Sequence, residues 1–359
     1  MHRIQLFAGI FVIPDPKKIN RYSGAPLIYL DHNILDNLQK GKLPDFLLKL
    51  KAEDFQVVYS DETLNEILRS GLSSSSYSNQ FLGLLTELNA THIKIRLNQD
   101  FSPTEELIIT TVSPFEVYDQ YCNGERIYED LQASMLLLPF KIHGGTGATF
   151  ADIKHEQLRA FEELLDHLGT LAADIEDECP SISELIQSQK EISMQHLAGL
   201  LDTSFEQMRE NIQDEKSWSG LNDFRSNIKL QPYHFNQIAK PNVLEQVWDK
   251  VKVAESIASQ NFTLEAFFGL HKNPIDPERP YFAHEKVIAI YSYLNMIGYY
   301  PDKPLHKDRG FIRANSDLRH ASIASLTHFL VSSDERFVKK VEAAYEFLDI
   351  QTEVVYMTP

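Results

Sequence analysis

Cysteine is nearly absent from this chain of 359 residues: Cys122 and Cys179 are its 2 thiols. Two thiols exclude a zinc site built on sulfur and leave no disulfide framework to organise a fold. Long apolar runs are missing as well. The longest, Ile4 to Ile13, falls far short of the ~20 residues that cross a bilayer, and no small-residue cleavage pattern stands before Pro14 and Pro16. It reads as a strand packed on the body of a cytoplasmic protein that has no membrane association, the alternative being a weak signal peptide. Positive charge is also in short supply, with Lys and Arg numbering 34 against 51 acids, a net charge of −17. The mean field of such a chain repels phosphate, which excludes a general nucleic-acid coat. Chemistry on nucleic acid would need a local basic strip or a metal.

What is present is an ordinary globular composition, 43% hydrophobic and 24% charged, incompatible with a largely disordered chain. At ~150 residues per domain the length implies two units, or one domain with a large insertion. Leu27 to Leu30, Gln56 to Tyr59 and Phe329 to Ser332 are short apolar runs, each followed at once by a helical pattern. They predict buried parallel strands, with a last strand over Thr352 to Met357. Between the first two lies a helical pair broken near Gly41 and Pro44, and a right-handed crossover sets these strands side by side. After Ile93 to Leu97, the stretch from about 102 to 300 is dominated by amphipathic helical patterns. Capping signatures occur at Ser181 with Glu184 and at Asn242 with Glu245, and Gly298 stops the helix that begins near His284. The expectation is an α/β fold made from residues 1–100 and 301–359, with 101–300 as a helical insertion.

Ligands of parallel α/β sheets bind outside the carboxyl ends of the strands. Reading just past each predicted strand finds acids there. Asp31 follows the first strand, Glu62 and Glu66 share a helix face after the second, and Asp334 follows the third. The helix feeding that third strand is expected to open at Ser316 and Asp317. An acid at a helix start is more often a cap than a ligand. Several on one rim, however, repel one another unless a cation lies among them. Oxygen donors select a hard ion, Mg²⁺ or Mn²⁺, which activates water and neutralises phosphoryl charge.

In this order the motifs resemble those of the PIN-domain nucleases, metal-dependent enzymes that mostly cut RNA and have a parallel-sheet fold. Asp31-His-Asn33 after Leu27-Ile-Tyr-Leu is similar to the family's opening strand, although His32 replaces the usual Thr or Ser. Ser60-Asp-Glu-Thr63-Leu64-Asn-Glu66 resembles its second motif, which makes Glu66 the second acid and leaves Glu62 in support. Asp317-Leu-Arg-His-Ala321 resembles the third, and Ser332-Ser333-Asp334 the fourth. The resemblance covers about the first 100 and the last 50 residues; the helical middle has no counterpart in a minimal PIN domain. It implies that Asp31, Glu66, Asp317 and Asp334 hold one or two Mg²⁺ or Mn²⁺ ions, with Asn33 and Ser333 orienting ligands or the scissile phosphate.

The segment Lys303 to Arg313 carries Lys303, Lys307, Arg309 and Arg313 with His306, after Tyr299 and Tyr300. It is the best phosphate-gripping strip in the chain, with stacking aromatics beside it; Arg319, Arg336, Lys339 and Lys340 extend it from adjoining helices. The alternative for this segment is a plain exposed loop. His143-Gly-Gly-Thr-Gly147 lacks the Gly-Lys-Ser/Thr ending of a phosphate loop and reads as a turn. Arg313 and His320 reproduce the spacing of the all-helical, metal-independent HEPN ribonucleases, but at the start of a helix that feeds a strand. The sequence therefore favours a metal-dependent endoribonuclease acting on RNA. The alternative of another class is a catalytically silent PIN-like scaffold whose helical insertion binds a protein partner.

Overall fold

The computed structural model describes residues 24–52, 55–72, 74–98, 102–174, 181–210, 212–274, 277–302 and 304–358. The apolar run Ile4 to Ile13, Lys303 and most of the acidic run Asp174 to Glu178 lie outside the described residues. Among those described, six strands form one sheet: β1 (Leu27–Leu30), β2 (Gln56–Tyr59), β3 (Thr91–Leu97), β4 (Pro103–Thr110), β5 (Phe329–Ser332) and β6 (Glu353–Tyr356). Their order is β4-β3-β2-β1-β5-β6, and all neighbours are parallel except the β3–β4 pair. The chain is thus α/β with a mostly parallel sheet flanked by helices. Tyr29 faces Val58 on one neighbour and Leu330 on the other, so β1 is central.

Strand β4 departs from the expectation of few strands after Leu97. Its first half, Pro103 to Glu106, is polar and half-exposed to exposed. An antiparallel edge strand with a solvated face needs no continuous apolar run, so the pattern that reveals buried strands was missing there. β6 is the expected final strand, trimmed by a residue at each end.

The strands bury both faces by alternation. Leu27, Tyr29, Val58 and Leu330 pack on one side; Ile28, Leu30, Val57, Tyr59 and Val331 pack on the other. Each such side chain contributes roughly 1.5–3 kcal/mol relative to exposure. The second face is covered by α1 (His32–Gln39), α2 (Pro44–Ala52), α3 (Asp61–Gly71) and α4 (Ser75–Glu87). Three long helices follow β4: α5 (Pro114–Ile142), α6 (Phe150–Asp174) and α7 (Ser181–Arg209). They have a small core of their own around Phe150, Ile153 and Phe205. Among the described residues no helix is long and apolar enough to cross a membrane.

After them come α8 (Gly220–Ile228), α9 (Val243–Val251) and two single turns, α10 (Glu255–Ala258) and α11 (Leu264–Phe267). They are followed by α12 (Ala283–Ile297), α13 (Asp308–Ala324) and α14 (Glu335–Phe347). Val247 of α9 and Ile290 and Leu294 of α12 belong to the same cluster as Tyr29 and Leu330, so these helices pack on the first face of the sheet. α12 ends as its sequence predicts, at Gly298 with φ 102°. A Cβ there would also sit 3.0 Å from Cα of Pro232, so only glycine fits.

The largest revision concerns α13. It begins at Asp308, not at Ser316 and Asp317, and Lys307 is its N-cap. Asp317 therefore projects from the middle of a helix and caps nothing. Gly310 in the first turn, a poor helix former, hid the early start and made the basic stretch resemble a loop. Asn242 also differs from its reading: α9 does start after it, but its backbone is left-handed and its side chain makes no cap bond.

Candidate metal centre

Asp31 is fixed by the sheet itself. It follows β1 directly, and its backbone N–H donates to the Val331 carbonyl at 3.0 Å, holding it against β5. Its carbonyl begins α1, but its side chain caps nothing. The carboxylate Oδ2 instead accepts from Ser332 Oγ at 2.6 Å and from the Asn33 amide. Asn33 also accepts through Oδ1 from the Ser333 backbone N–H and hydroxyl, both at 2.9 Å. Asn33 thus ties the ends of β1 and β5 together and sets the Asp31 rotamer. Asp31 is 4% exposed. Burial pushes its carboxyl above the usual range, and the Glu66 charge adds to this, while His320 and the Ser332 hydroxyl pull it back.

The two acids of α3 have different surroundings. Glu66 accepts from His320 Nε2 at 3.0 Å, with His32 Nδ1 and Arg69 each 3.7 Å away. Burial opposes its ionisation, yet His320, His32 and Arg69 outweigh burial and hold it down at about 2. Glu62 is buried and spent on two cations, Arg69 at 3.3 Å and Arg319 at 3.1 Å, and it also accepts from the Ser316 hydroxyl. One helix turn thus separates an acid facing Asp31 from an acid that anchors two arginines.

His320 went unread in the sequence except as half of an Arg–His pair. It is fully buried, and both ring nitrogens are engaged: Nε2 by Glu66, and Nδ1 by the Tyr29 hydroxyl at 2.6 Å. Tyr29 Oη in turn lies 2.7 Å from Ser60 Oγ. Burial disfavours the imidazolium, but Tyr29, Glu66 and Asp31 outweigh it and raise the pKa well above its ordinary value. Arg313, its supposed partner, is exposed on the outside of α13 and shares no hydrogen bond with it among the described residues. One ligand atom from each of Asp31, Glu66 and His320 lies within 4.8 Å of the others. Since both imidazole nitrogens are taken, the atoms open to a cation there are carboxylate oxygens.

Asp317 stands one turn before His320 on α13 and is not part of that group of close ligand atoms. No hydrogen bond or ion pair meets its carboxylate among the described residues. Burial, then Asp302, then Asp31 drive its pKa well above the ordinary carboxylate value, while Lys340 supplies the largest opposing charge. Asp334 behaves as a cap: exposed at the start of α14, it accepts through Oδ1 from the backbone of Arg336 at 2.8 Å and Phe337 at 3.2 Å. Its Oδ2 has no hydrogen bond among the described residues.

Asp302 and Lys340 escaped notice as a pair. Lys340 is fully buried, with Nζ 2.5 Å from Asp302 Oδ1 and 2.8 Å from Asn295 Oδ1. It therefore does not extend a surface strip. Arg336 reaches the Pro301 carbonyl and Lys339 lies 3.8 Å from Glu342. Lys307 at the N-cap and Arg309 and Arg313 on the first turns of α13 are exposed, and Arg319, half-buried, leans on Glu62. Tyr299 is 2% exposed and Tyr300 donates its hydroxyl to the Asn236 carbonyl, so the stacking platform expected beside the strip is not formed.

No protein-family model matches the chain, and neither a curated protein nor a solved structure matches it.

Proposed function

We propose that this chain is a PIN-like, metal-dependent nuclease that hydrolyses phosphodiester bonds, with RNA as its substrate. The observation carrying this reading is the meeting of two carboxylates at the carboxyl end of the central strand, where one ligand atom from each of Asp31, Glu66 and His320 lies within 4.8 Å of the others. Uncompensated carboxylates close together are costly unless a cation joins them. The open donors are all hard oxygens, from Asp31, Glu66 and Asp317, with Asp334 Oδ2 at the edge; this set fits Mg²⁺ or Mn²⁺. A cation held there supplies an acidified water and neutralises charge on the phosphoryl group.

The chain's own residues do the rest. Ser332 and Asn33 hold the Asp31 carboxylate in one rotamer, and Asn33 keeps Ser333 beside it. His320, braced by Tyr29, fixes Glu66 and keeps it ionised. Lys307, Arg309 and Arg313, with Arg319, offer positive charge to an RNA backbone that the net charge of −17 otherwise repels. The choice of RNA over DNA rests on the family resemblance. One observation favours the silent scaffold: Glu66 already has a cationic partner in His320. Metal dependence separates the two. Incubation with structured RNA and with single-stranded DNA should give cleavage with Mn²⁺ and none with excess EDTA. Cleavage undiminished by chelation, or no cleavage of either polymer with any divalent ion, would reject the proposal.

A further inference from the structure

Two imidazoles converge on one oxygen of Glu66. His320 Nε2 lies 3.0 Å from Oε2 and His32 Nδ1 lies 3.7 Å from the same atom, while Arg69 approaches the other oxygen, Oε1, at 3.7 Å. The two rings come from opposite ends of the chain: His32 opens α1 directly after Asp31, and His320 stands in the second half of α13. Both are held in place. The His32 ring packs on Phe81 with centroids 4.6 Å apart, and His320 Nδ1 meets the Tyr29 hydroxyl at 2.6 Å.

An ion pair for Glu66 needs only one of them. His32 Nδ1 is buried and has no hydrogen-bond partner among the described residues, and at 3.7 Å it is too far from Glu66 to form one. A buried nitrogen left unpaired costs free energy that packing alone does not return. The spacing is that of donors around a common ion. Bonds of ~2.1 Å set neighbouring donors roughly 3 to 3.5 Å apart and opposite ones about 4.2 Å apart. One atom from each of Asp31, Glu66 and His320 lies within 4.8 Å of the others, and His32 Nδ1 falls in the same range from Glu66. The bracing of His320 also suits a ligand. Tyr29 Oη is 2.7 Å from Ser60 Oγ, so it can donate there and accept from His320 Nδ1–H, which aims Nε2 at the acids. A metal-bound imidazole is typically fixed in this way through its other nitrogen.

Resting on the nuclease reading above, we infer that His320 Nε2 and His32 Nδ1 join Asp31 and Glu66 as ligands, so that the centre takes a first-row transition ion in preference to Mg²⁺. The ion replaces the hydrogen bond between His320 Nε2 and Glu66, and the proton of that bond passes to solvent. Imidazole nitrogen adds little to the binding of Mg²⁺, a hard ion that keeps its waters, whereas it strengthens the hold on transition ions increasingly along the row from Mn²⁺. Two nitrogens therefore set a choice of metal that carboxylates alone leave open. Mn²⁺, the weakest binder of that row, is the strictest probe of it.

The ligands can be read without reference to activity. Metal-free full-length protein with one equivalent of Mn²⁺ is examined by pulsed electron paramagnetic resonance, which detects a nitrogen bonded to the ion as a ¹⁴N modulation. The wild type should show that modulation, lose it when histidine alone is labelled with ¹⁵N, and show it weakened in His32→Gln and in His320→Gln. Mg²⁺ at roughly 100-fold excess should leave most of the Mn²⁺ bound. Bound Mn²⁺ without nitrogen modulation, a modulation untouched by histidine labelling or by His32→Gln, or displacement of Mn²⁺ by an equal concentration of Mg²⁺ would overturn the inference and leave the nuclease reading standing. No binding of Mn²⁺ would remove that reading, and this inference with it. Should the buried His320→Gln fail to fold, the wild type, its labelled form and His32→Gln, at a half-buried position, decide the matter.

Discussion

Ser332 donates its hydroxyl to the Asp31 carboxylate at 2.6 Å across 301 positions of sequence, the last residue of β5 gripping the first residue after β1. The register brings the two residues together. Leu30 is paired with Val331, so the next residue on each strand emerges at the same edge of the sheet. Neither backbone position can shift without disturbing the two strands, since Asp31 N–H is also bonded to the Val331 carbonyl. The site is consequently as rigid as the sheet, a condition for holding a cation at fixed distances.

Replacing Asp31 with Asn preserves shape and leaves an oxygen to accept from Ser332 and Asn33, but removes the charge that binds the ion. Loss of a residue that merely orients a metal ligand typically costs about 10–100-fold, so loss of the ligand itself should cost at least ~100-fold in RNA cleavage. Metal-free Asp31→Asn should also melt at or above the wild-type temperature, since one member of a repelling group with Glu66 and Asp317 is gone. Cleavage assays and thermal melts in EDTA check the two halves. A folded variant with full activity would remove Asp31 from the centre.

Asp334 should respond differently, because the structure gives it a cap to make. Asparagine caps nearly as well as aspartate, and alanine does not. Asp334→Asn should keep stability within a few tenths of a kcal/mol, and Asp334→Ala should lose about 1 kcal/mol in denaturant unfolding. Cleavage should fall less in Asp334→Asn than in Asp31→Asn, since only Oδ2 is left to face the ion. Equal losses in the two variants would make Asp334 a full ligand.

Asp31 was legible because a buried apolar strand with an acid at its end is a local pattern. Glu66 was legible through the same logic plus a helix period, and the structure separates it from Glu62 by the cations each one meets. Asp317 was singled out on a placement that the structure corrects, as the acid that opens a helix at the rim. It projects from the middle of α13, whose true start Gly310 hid from the sequence pattern. His320, Asp302 and Lys340 had no local signal at all. Tyr29 lies 291 positions from His320, and Asn295 lies 45 from Lys340, so these partnerships exist only once the strands and helices are assembled. Lys340 was misread as a surface charge, since a lysine in a helix is most often solvated and only its packing against Asp302 and Tyr291 says otherwise. β4 was missed for a related reason, an edge strand carrying no continuous apolar run.

A pH effect is expected away from the centre, at the start of α12. Glu285 accepts from Arg279 at 2.8 Å and from the Phe282 backbone N–H at 3.2 Å. Burial opposes its charge, but these donors outweigh burial and hold its carboxyl below the ordinary 4.5. A lowered folded-state pKa means that the stabilisation is complete above the unfolded value and disappears as pH falls through the folded one. The stability gap between wild type and Glu285→Gln should therefore be widest near neutrality and narrow steadily below ~4.5, the unfolded value. Urea unfolding of both proteins between neutral and acid pH measures it. A gap independent of pH would show that the pair contributes through packing alone.

The last expectation concerns how an acidic protein holds an acidic polymer. Lys307, the N-cap of α13, and Arg309 and Arg313 on its first turns are exposed on the helix that carries Asp317 further along, so RNA bound along them would lie on the element that supplies the centre. Helical geometry spaces them better than a loop would: Arg309 and Arg313 are four apart and share a face. Each phosphate contact released should reduce the slope of log affinity against log salt by roughly 0.7 for a single strand and 0.9 for a duplex. Neutralising all three to Gln should therefore lower the slope by about 2–3 units and weaken binding of every RNA alike, without changing which sequence is preferred. Mn²⁺ affinity should be unaffected, as none of the three touches the acids. The measurement is a binding isotherm at several salt concentrations with catalysis stopped by Asp31→Asn. A slope unchanged by the triple substitution would mean that the substrate enters along another face, and Arg319 with Arg69, held together by Glu62 at the rim, would then be the next cations to remove.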